Sequence, residues 1–529
     1  MKYHIVTFGC QMNKSDSERI ASFLEKKGYT ASNQKEANLV VVNMCSIRQS
    51  AVDRVYGKNL KNKTSILTGC ILKKDKEKLK EKFDYIFPIK DLNNWFKTIK
   101  HQENLQYLKI KPKPNHFPIA YVPISVGCNN FCTYCCVPFT RGKEIQRNYK
   151  EIIKETKEYI KKGFKEIWLL GENVNSYKNF PKLLKEIDSL KGDFWIRFTS
   201  PNPKDFSKTL IKVMQNCSKI TPYLNLPLQS GDDDVLKRMN RKYTKQEYEK
   251  LVQDIRKEIP DICLTTDIIV GFPKETKKAF QNTKNLVKKI GFDMAYTAKY
   301  SKRPQTAAFK MKDDVSSIEK KTREKELIKI IEKIAKKKNK QLIGKTIKVL
   351  PTGYKNGFLI GKSFLHKTVK FKGSINLIGK FQKVIITKAT AFRLEGILQK
   401  PKIIIILGQT SSGKTSLSIK LAKIFKGEIA SADSRQVYKG MDIGTGKVTK
   451  KEMSNIPHHL LDVANPKRKY SVAQYQKEAV KTIDNILKRN NLPFLVGGTA
   501  FYIYSIVNGV EFPKMKTNEK LRKELEKKN

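Results

Sequence analysis

At 529 residues the chain exceeds what one hydrophobic core serves, and its 39% hydrophobic content suffices for three or four packed domains. No stretch approaches the ~18 consecutive apolar residues of a membrane span, and no small-residue cleavage site follows an apolar run at the amino terminus, so a cytoplasmic protein with reduced thiols is expected. The 106 Lys+Arg against 50 Asp+Glu give a net charge of +56, which permits a polyanionic partner such as RNA, although an AT-rich genome also produces a lysine excess.

"YHIVTFGC" predicts the first strand, followed by a helix of amphipathic spacing from Ser15 to Lys27. "ANLVVVNMC" and "TSILTGC" are further apolar strands with "SAVDRVYGKNLK" as a helix between them. Residues 1–115 are thus expected to form a small parallel α/β domain, closed by the Pro- and Lys-rich link "KIKPKPNHFP". Cys10, Cys45 and Cys70 each fall at the carboxyl end of one of these strands, and parallel pairing would bring those ends to one edge. Single cysteines in such places are ordinarily packing residues.

From Ile119 onward the pattern repeats as strand, loop, helix: "AYVPISVGC", "EIWLLGENVNSY", "FWIRFTS", "YLNLPLQSG", "LTTDIIVGFP" and "MAYTAKYS". Six such units over 119–335 predict a β/α barrel of partial TIM type, whose chemistry belongs in the loops after the strands. Cys128, Cys132 and Cys135 form C-x3-C-x2-C after the first strand. A structural zinc site would need a fourth ligand, and no nearby histidine or Cys-x2-Cys pair offers one. Three thiolates on a short loop can instead hold a cubic iron–sulfur cluster, leaving one iron open for S-adenosylmethionine.

"GCNNFCTYCCVPFTRGKE" resembles the signature of radical-SAM tRNA methylthiotransferases of the MiaB type. In that family the three spaced cysteines ligate the catalytic 4Fe-4S cluster. Cys136 falls outside the ligand pattern and reads as a small buried side chain. The resemblance extends to "GCQMNKSDSE", "NMCSIR" and "TGCILKK", implying that Cys10, Cys45 and Cys70 hold a second 4Fe-4S cluster that delivers sulfur. The cofactor loops match "LLGENVNSY", "LPLQSG" and "DIIVGFP", which implies that Glu172, Asn173, Gln229, Ser230 and Gly271 line the S-adenosylmethionine and substrate pocket. Glu172 stands where many relatives have glutamine, and "PNP" at 201–203 replaces a common "SHP".

In "EKELIKIIEKIAKKKNKQ" a stripe of Leu327, Ile330, Ile331 and Ile334 marks a packing helix. Short β-rich segments over 340–398 predict a small antiparallel barrel that resembles a TRAM RNA-binding domain, with Lys345, Lys367, Lys370 and Lys372 as candidate phosphate contacts. At Pro401 a new α/β pattern opens. "GQTSSGKT" (Gly408, Gln409, Thr410, Ser411, Ser412, Gly413, Lys414, Thr415) follows a strand and precedes a helix, the context of a phosphate-binding loop in which Lys414 neutralises a diphosphate or triphosphate and Thr415 holds Mg2+, which by itself says only nucleotide or polyphosphate. Downstream, "ASADSRQVYKGMDIGTGK", "IPHHLLDV", "YSVAQYQ" and "FLVGGTAFYIY" resemble tRNA dimethylallyltransferases of the MiaA type, whose loop grips dimethylallyl diphosphate. The resemblance implies Asp433 as the general base and Asp433, Ser434, Arg435 and Gln436 as contacts to the target adenosine.

Taken together, residues 1–398 are expected to methylthiolate carbon 2 of N6-dimethylallyladenosine 3′ of the anticodon, and residues 401–529 to be the front of a transferase that prenylates the same base. The expected partners are the tRNA anticodon stem-loop and an electron donor such as flavodoxin or ferredoxin, with a monomeric chain and no membrane. Alternatives are a methylthiotransferase for threonylcarbamoyl-adenosine or a ribosomal protein, a P-loop nucleotide hydrolase with iron–sulfur accessory domains, and a non-enzymatic iron–sulfur RNA sensor. The sequence stops at "NEKLRKELEKKN", short of the transferase family's helical tRNA clasp and its later substrate-binding arginines, so transfer activity is not expected of 401–529 alone.

Overall fold

The computed structural model describes residues 1–46, 49–58, 60, 62–95, 106–399, 402–489, 491–510 and 512. Contacts divide the chain into two units, residues 1–399 and 400–529.

The first unit begins with a five-stranded parallel sheet: β1 (Lys2–Phe8), β2 (Thr30–Ala31), β3 (Leu39–Cys45), β4 (Thr64–Cys70) and β5 (Tyr85–Ile86), in the order β2-β1-β3-β4-β5. β3 is apolar apart from Asn43, and β4, which carries Thr64, Ser65 and Thr68 as well, is buried from Ser65 to Cys70. The first helix runs over Gln11–Lys26, four residues longer at its start than the predicted one. Its opening turn buries Asn13, Ser15, Asp16, Ser17, Glu18 and Arg19, so no apolar stripe announces it. Asn13 starts it by accepting the Cys10 N–H at 3.2 Å.

Next come β6 (Ile119–Pro123), a short pair β7 (Ser125–Val126) and β8 (Ile145–Gln146), then β9 (Glu166–Leu170), β10 (Trp195–Phe198), β11 (Tyr223–Asn225), β12 (Cys263–Val270) and β13 (Met294–Lys299). β6, β9 and β10 pair in parallel, as do β11, β12 and β13, and a bridge between Ile196 and Ile220 joins the two triplets. The six strands therefore stand side by side in chain order, with helices between them. The largest apolar core lies between these strands and their helices, from Ala120 through Leu183 and Leu224 to Ile331. A second core carries Tyr3, Leu24 and Leu39 of the amino-terminal sheet layer together with Tyr121, Trp168 and Tyr223 of the barrel strands. That shared core fixes the first sheet against the barrel and sets the distance between their cysteines. The helix Ser317–Lys340 buries Leu327 and Ile331 of the predicted stripe and leaves Ile330 and Ile334 half-buried.

A closed five-stranded barrel follows: β14 (Thr346–Lys355), β15 (Phe358–Ser363), β16 (Thr368–Lys372), β17 (Gln382–Ala389) and β18 (Leu394–Leu398). It is not wholly antiparallel, as the strand spacing suggests. β17 crosses to pair with β14, so β18 returns parallel to β16 and closes the ring. The β15–β16 turn reaches into the foot of the parallel strands. Arg197 donates to the carbonyls of Ser363 (2.9 Å) and Phe364 (3.2 Å), and the His366 ring packs 4.4 Å from Tyr223 and 5.2 Å from Trp168.

The second unit is a parallel sheet of β19 (Ile404–Leu407), β20 (Gly427–Ser431), β21 (His458–His459) and β22 (Leu492–Gly497), ordered β19-β22-β20-β21. Helices Lys414–Phe425, Val472–Lys488 and Ala500–Val507 accompany it. Pro401 and the terminal stretch "NEKLRKELEKKN" lie outside the described residues. Among the described residues no helix is long and apolar enough to cross a membrane.

Candidate active sites

The C-x3-C-x2-C loop leaves the top of β6 and is pinned at its neck by the antiparallel β7–β8 pair. Gly127 makes the closure possible: its φ is +84°, and a Cβ there would stand 2.2 Å from the Lys143 carbonyl. Across the neck the Cys128 amide donates to the Gly142 carbonyl at 3.2 Å. The far side of the loop is clamped by residues 238–241. Thr133 donates to the carbonyls of Met239 (3.1 Å) and Arg238 (2.8 Å), and Asn240 donates to Phe131 (2.8 Å). Cys128 is buried, Cys132 and Cys135 are half-buried, and all three are free thiols. Burial raises the Cys128 and Cys135 thiols above the ordinary range, and each also feels Cys132 electrostatically. The Arg241 guanidinium stands 3.5 Å from the Cys132 sulfur, a cation placed to offset thiolate charge. Cys136 is 1% exposed, and its carbonyl accepts the first amides of the short helix Val137–Thr140. Burial pushes its thiol up to about 11.

The second cysteine set lies at the carboxyl edge of the amino-terminal sheet. Cys45 and Cys70 are directly paired residues of β3 and β4, and Cys10 follows β1, which neighbours β3. Cys45 hydrogen-bonds Cys70, and this contact with burial raises the Cys70 thiol. Ile47 and Arg48 of "NMCSIR" lie outside the described residues. Among the described residues no three His, Cys, Asp or Glu side chains converge as they would on a single metal ion. A cubic cluster asks for a different arrangement, in which each thiolate binds its own iron. Both cysteine sets fit that demand as free thiols held on rigid supports.

Arg141 joins the two sets. It sits on the first loop, yet its Nε donates to the Cys70 sulfur at 2.9 Å and its Nη2 to Asp16 at 2.7 Å. Glu172, at the end of β9, lies 3.3 Å from the same guanidinium and accepts the Gly127 amide at 3.1 Å. Burial pushes the Glu172 carboxyl up to about 7 against the pull of Arg141. The remaining loop residues cluster above the strands. Asn173 donates to Asp205 at 2.8 Å, and the Ser230 hydroxyl is fully buried beside Thr283. Gln229 bridges to Ile268 with a φ of +68°, and Gly271 (φ +68°) packs on Lys320.

Of the candidate phosphate contacts on the small barrel, Lys345 and Lys372 are exposed and Lys370 lies 4.0 Å over the Phe358 ring. Lys367 is already engaged, at 2.8 Å from Asp293, which also holds Lys338.

In the second unit the loop Gly408–Thr415 joins β19 to helix Lys414–Phe425, with Gly413 (φ +81°) and Ser411 (φ +65°) turning the backbone. The Lys414 ammonium folds back on the Gln409 carbonyl. A cavity of about 670 Å3 opens over this loop, with Ser431, Asp433, Gln436 and His458 on its other wall. Asp433 Oδ1 accepts the amides of Arg435 (2.8 Å) and Gln436 (3.3 Å), Ser434 N donates to Thr499, and the Gln436 amide holds the carbonyls of Thr445 and Gly446. The carboxylate and the phosphate loop thus face one space.

Comparison with known proteins divides along the same lines. Residues 2–88 match the family described as "Uncharacterized protein family UPF0004", residues 122–287 the Radical SAM superfamily and residues 436–529 IPP transferase. The tRNA-2-methylthio-N(6)-dimethylallyladenosine synthase of Clostridium novyi (strain NT) is 39% identical over 433 residues, 75% of this chain and 96% of that protein. Its counterpart in Thermoanaerobacter sp. (strain X514) is 40% identical, over 75% of this chain and 92% of that one. The chain belongs to this synthase family. The solved tRNA isopentenylpyrophosphate transferase of Bacillus halodurans shares 46% identity over 24% of this chain and 42% of its own, with a TM-score of 0.22. The chain therefore spans less than half the length of that transferase.

Sequence reasoning missed three residues that shape the surroundings of the cysteine sets: Asp16, Arg141 and Arg241. Arg141 is visible in the motif, but its partner Cys70 is 71 positions away and nothing local points there. Asp16 reads as one polar residue among many, and its burial alone sets it apart.

Proposed function

We propose that residues 1–399 form a radical S-adenosylmethionine enzyme that adds a methylthio group to carbon 2 of N6-dimethylallyladenosine at tRNA position 37, immediately 3′ of the anticodon. The observation that carries this reading is the pair of cysteine sets, each at the carboxyl edge of a parallel sheet and bridged by buried Arg141. In this reading Cys128, Cys132 and Cys135 ligate one 4Fe-4S cluster and Cys10, Cys45 and Cys70 a second. The first cluster, with S-adenosylmethionine on its open iron, supplies the radical chemistry. The protein's own groups hold and shield it: Arg241 offsets charge at Cys132, Glu172 ties the loop neck to Arg141, and Asn173, Gln229, Ser230 and Gly271 build the pocket wall. The parallel strands 119–335 act as the partial TIM-type barrel of the superfamily and the closed barrel 340–398 as a TRAM domain, with Lys345, Lys370 and Lys372 toward phosphates. A low-potential carrier of flavodoxin or ferredoxin type supplies electrons to a monomeric, cytoplasmic enzyme.

For residues 401–529 the reading is the front part of a tRNA dimethylallyltransferase. The loop 408–415 takes the diphosphate of dimethylallyl diphosphate, Thr415 the Mg2+, and Asp433 the proton of the adenine amine, with Ser434, Arg435 and Gln436 beside the base. The shared cavity of loop and carboxylate supports it. One experiment tests both halves. The reconstituted full chain is incubated with S-adenosylmethionine and reductant, using tRNA that is either unmodified or already prenylated, and the nucleosides are resolved by mass spectrometry. Methylthiolation of the prenylated tRNA is expected. Methylthiolation of a parallel sample of tRNA carrying threonylcarbamoyl-adenosine instead, or none at all, overturns the first reading. Adding Mg2+ and dimethylallyl diphosphate tests the second through diphosphate binding that Lys414→Ala abolishes.

A further inference from the structure

The guanidinium of Arg141 is 2% exposed and touches three groups from three parts of the first unit: Cys70 of β4, Asp16 of the first helix and Glu172 after β9. Its own position, five residues past Cys136 and one before the Gly142 that accepts the Cys128 amide, makes it a rigid extension of the first cysteine loop. Arg141 Nη1, Asp16 Oδ1 and the Tyr107 hydroxyl are buried beside one another without a protein partner, and Tyr107 feels both charges. A purely structural ion pair would ordinarily satisfy its donors. Here one fork of the guanidinium is spent on a sulfur, and among the described residues the carboxylates of Asp16 and Glu172 are those that pair with its charge.

We propose that Arg141 is a positioning residue that tunes the Cys10–Cys45–Cys70 site from the loop of the other cysteine set, its N–H and positive charge stabilising electron density on Cys70. The inference rests on the two-cluster reading above. Hydrogen bonds to cluster sulfurs and nearby charge are what set a cluster's reduction potential. Arg141 therefore makes the amino-terminal cluster easier to reduce, and Asp16 works against it by neutralising the guanidinium. Lysine could supply the charge but not the fork that reaches sulfur and carboxylate together.

The test uses the full chain with Cys128, Cys132 and Cys135 all changed to alanine, so that iron remains at the amino-terminal site alone, followed by iron counting and a spectroscopic redox titration. Absence of iron in this parent would sink the two-cluster reading itself. With iron present, Arg141→Met is expected to lower the reduced-to-oxidised ratio at fixed potential at least tenfold, about 59 mV for a one-electron couple. Asp16→Asn is expected to raise it. These opposite signs are what a merely structural role would not produce, and shifts of the same sign, or none, overturn the proposal. Should Arg141→Met lose its iron, Arg141→Lys decides: retained iron with a potential near the parent's supports tuning by charge, and loss of iron there too reduces Arg141 to a packing residue.

Discussion

Four adjacent-looking cysteines on one loop have unequal fates, and spacing rather than burial alone separates them, since Cys128 is buried as Cys136 is. Cys136 is sealed under its own helix start, whereas Cys132 and Cys135 are half-buried. Cys136→Ala should therefore keep full iron content and reductive cleavage of S-adenosylmethionine, at a cost to stability of about 1 kcal/mol. Cys128→Ala should lose the iron of the first site and all 5′-deoxyadenosine formation. Equal loss in both variants would show that Cys136 is a ligand. Spacing made the three ligand candidates legible because iron–sulfur loops are local. Arg141, Asp16 and Glu172 were not legible in those roles, since each acts through a contact that exists after the sheets have packed. Lys367 misled for the same reason: a lysine on a basic strand reads as a phosphate contact until Asp293 is found beside it.

At the scale of elements, parallel strands are legible where they are apolar on both faces, as in the runs of β3 and β9. Pairing direction in the small barrel was not legible, because β16 and β18 carry no mark of which neighbour they choose. The amino-terminal sheet edge predicts its own experiment. Replacing Cys10, Cys45 and Cys70 together with alanine should leave about half the wild-type iron and unimpaired 5′-deoxyadenosine formation while stopping methylthiolation. Unchanged iron would remove the second cluster. In the second unit, Glu428 at the head of β20 accepts two hydrogen bonds from Arg489, at 2.9 and 2.6 Å, and is held by Asn491 and His459 as well. Arg489's bonds are the main reason its carboxyl falls to about 2. A depressed carboxyl stabilises the fold fully above its unfolded value of about 4.3 and loses that contribution as pH drops through 2. Glu428→Gln should thus weaken amide protection in β20 and β22 by about 2 kcal/mol at pH 7, a figure discounted for the half-exposed Arg489, and the gap from wild type should close between pH 4.5 and 2. A gap constant with pH would mean packing, not charge, is what the glutamate contributes.

For the whole molecule, the division at residues 399 and 400 separates the unit that carries both cysteine sets from the unit that carries the phosphate loop. Residues 1–399 expressed alone should methylthiolate prenylated tRNA within about threefold of the full chain's rate, because both cysteine sets and the small barrel lie inside that unit, and a threefold change is well under 1 kcal/mol in the barrier. A loss above tenfold would mean the second unit contributes to tRNA binding. The sequence showed this division as a change of pattern at Pro401, where a β-rich stretch gives way to strand, glycine loop and helix. What it could not show is the shared core of Tyr3, Leu39, Tyr121 and Trp168, which makes the amino-terminal sheet and the parallel strands one body.

The turn between β15 and β16 reaches further than its length suggests. By lodging His366 and two carbonyls against Trp168, Tyr223 and Arg197, it packs over the foot of the parallel strands. In the radical reading proposed above, a carbon radical made at the carboxyl ends of these strands would have packed rings at their opposite end. On the proposed reading the small barrel would then have two duties, contacting RNA through its exposed lysines and packing the foot of the strands. Trimming its turn at His366 should show up first as wasted cofactor, with more 5′-deoxyadenosine formed per methylthio group delivered, before any loss of tRNA affinity.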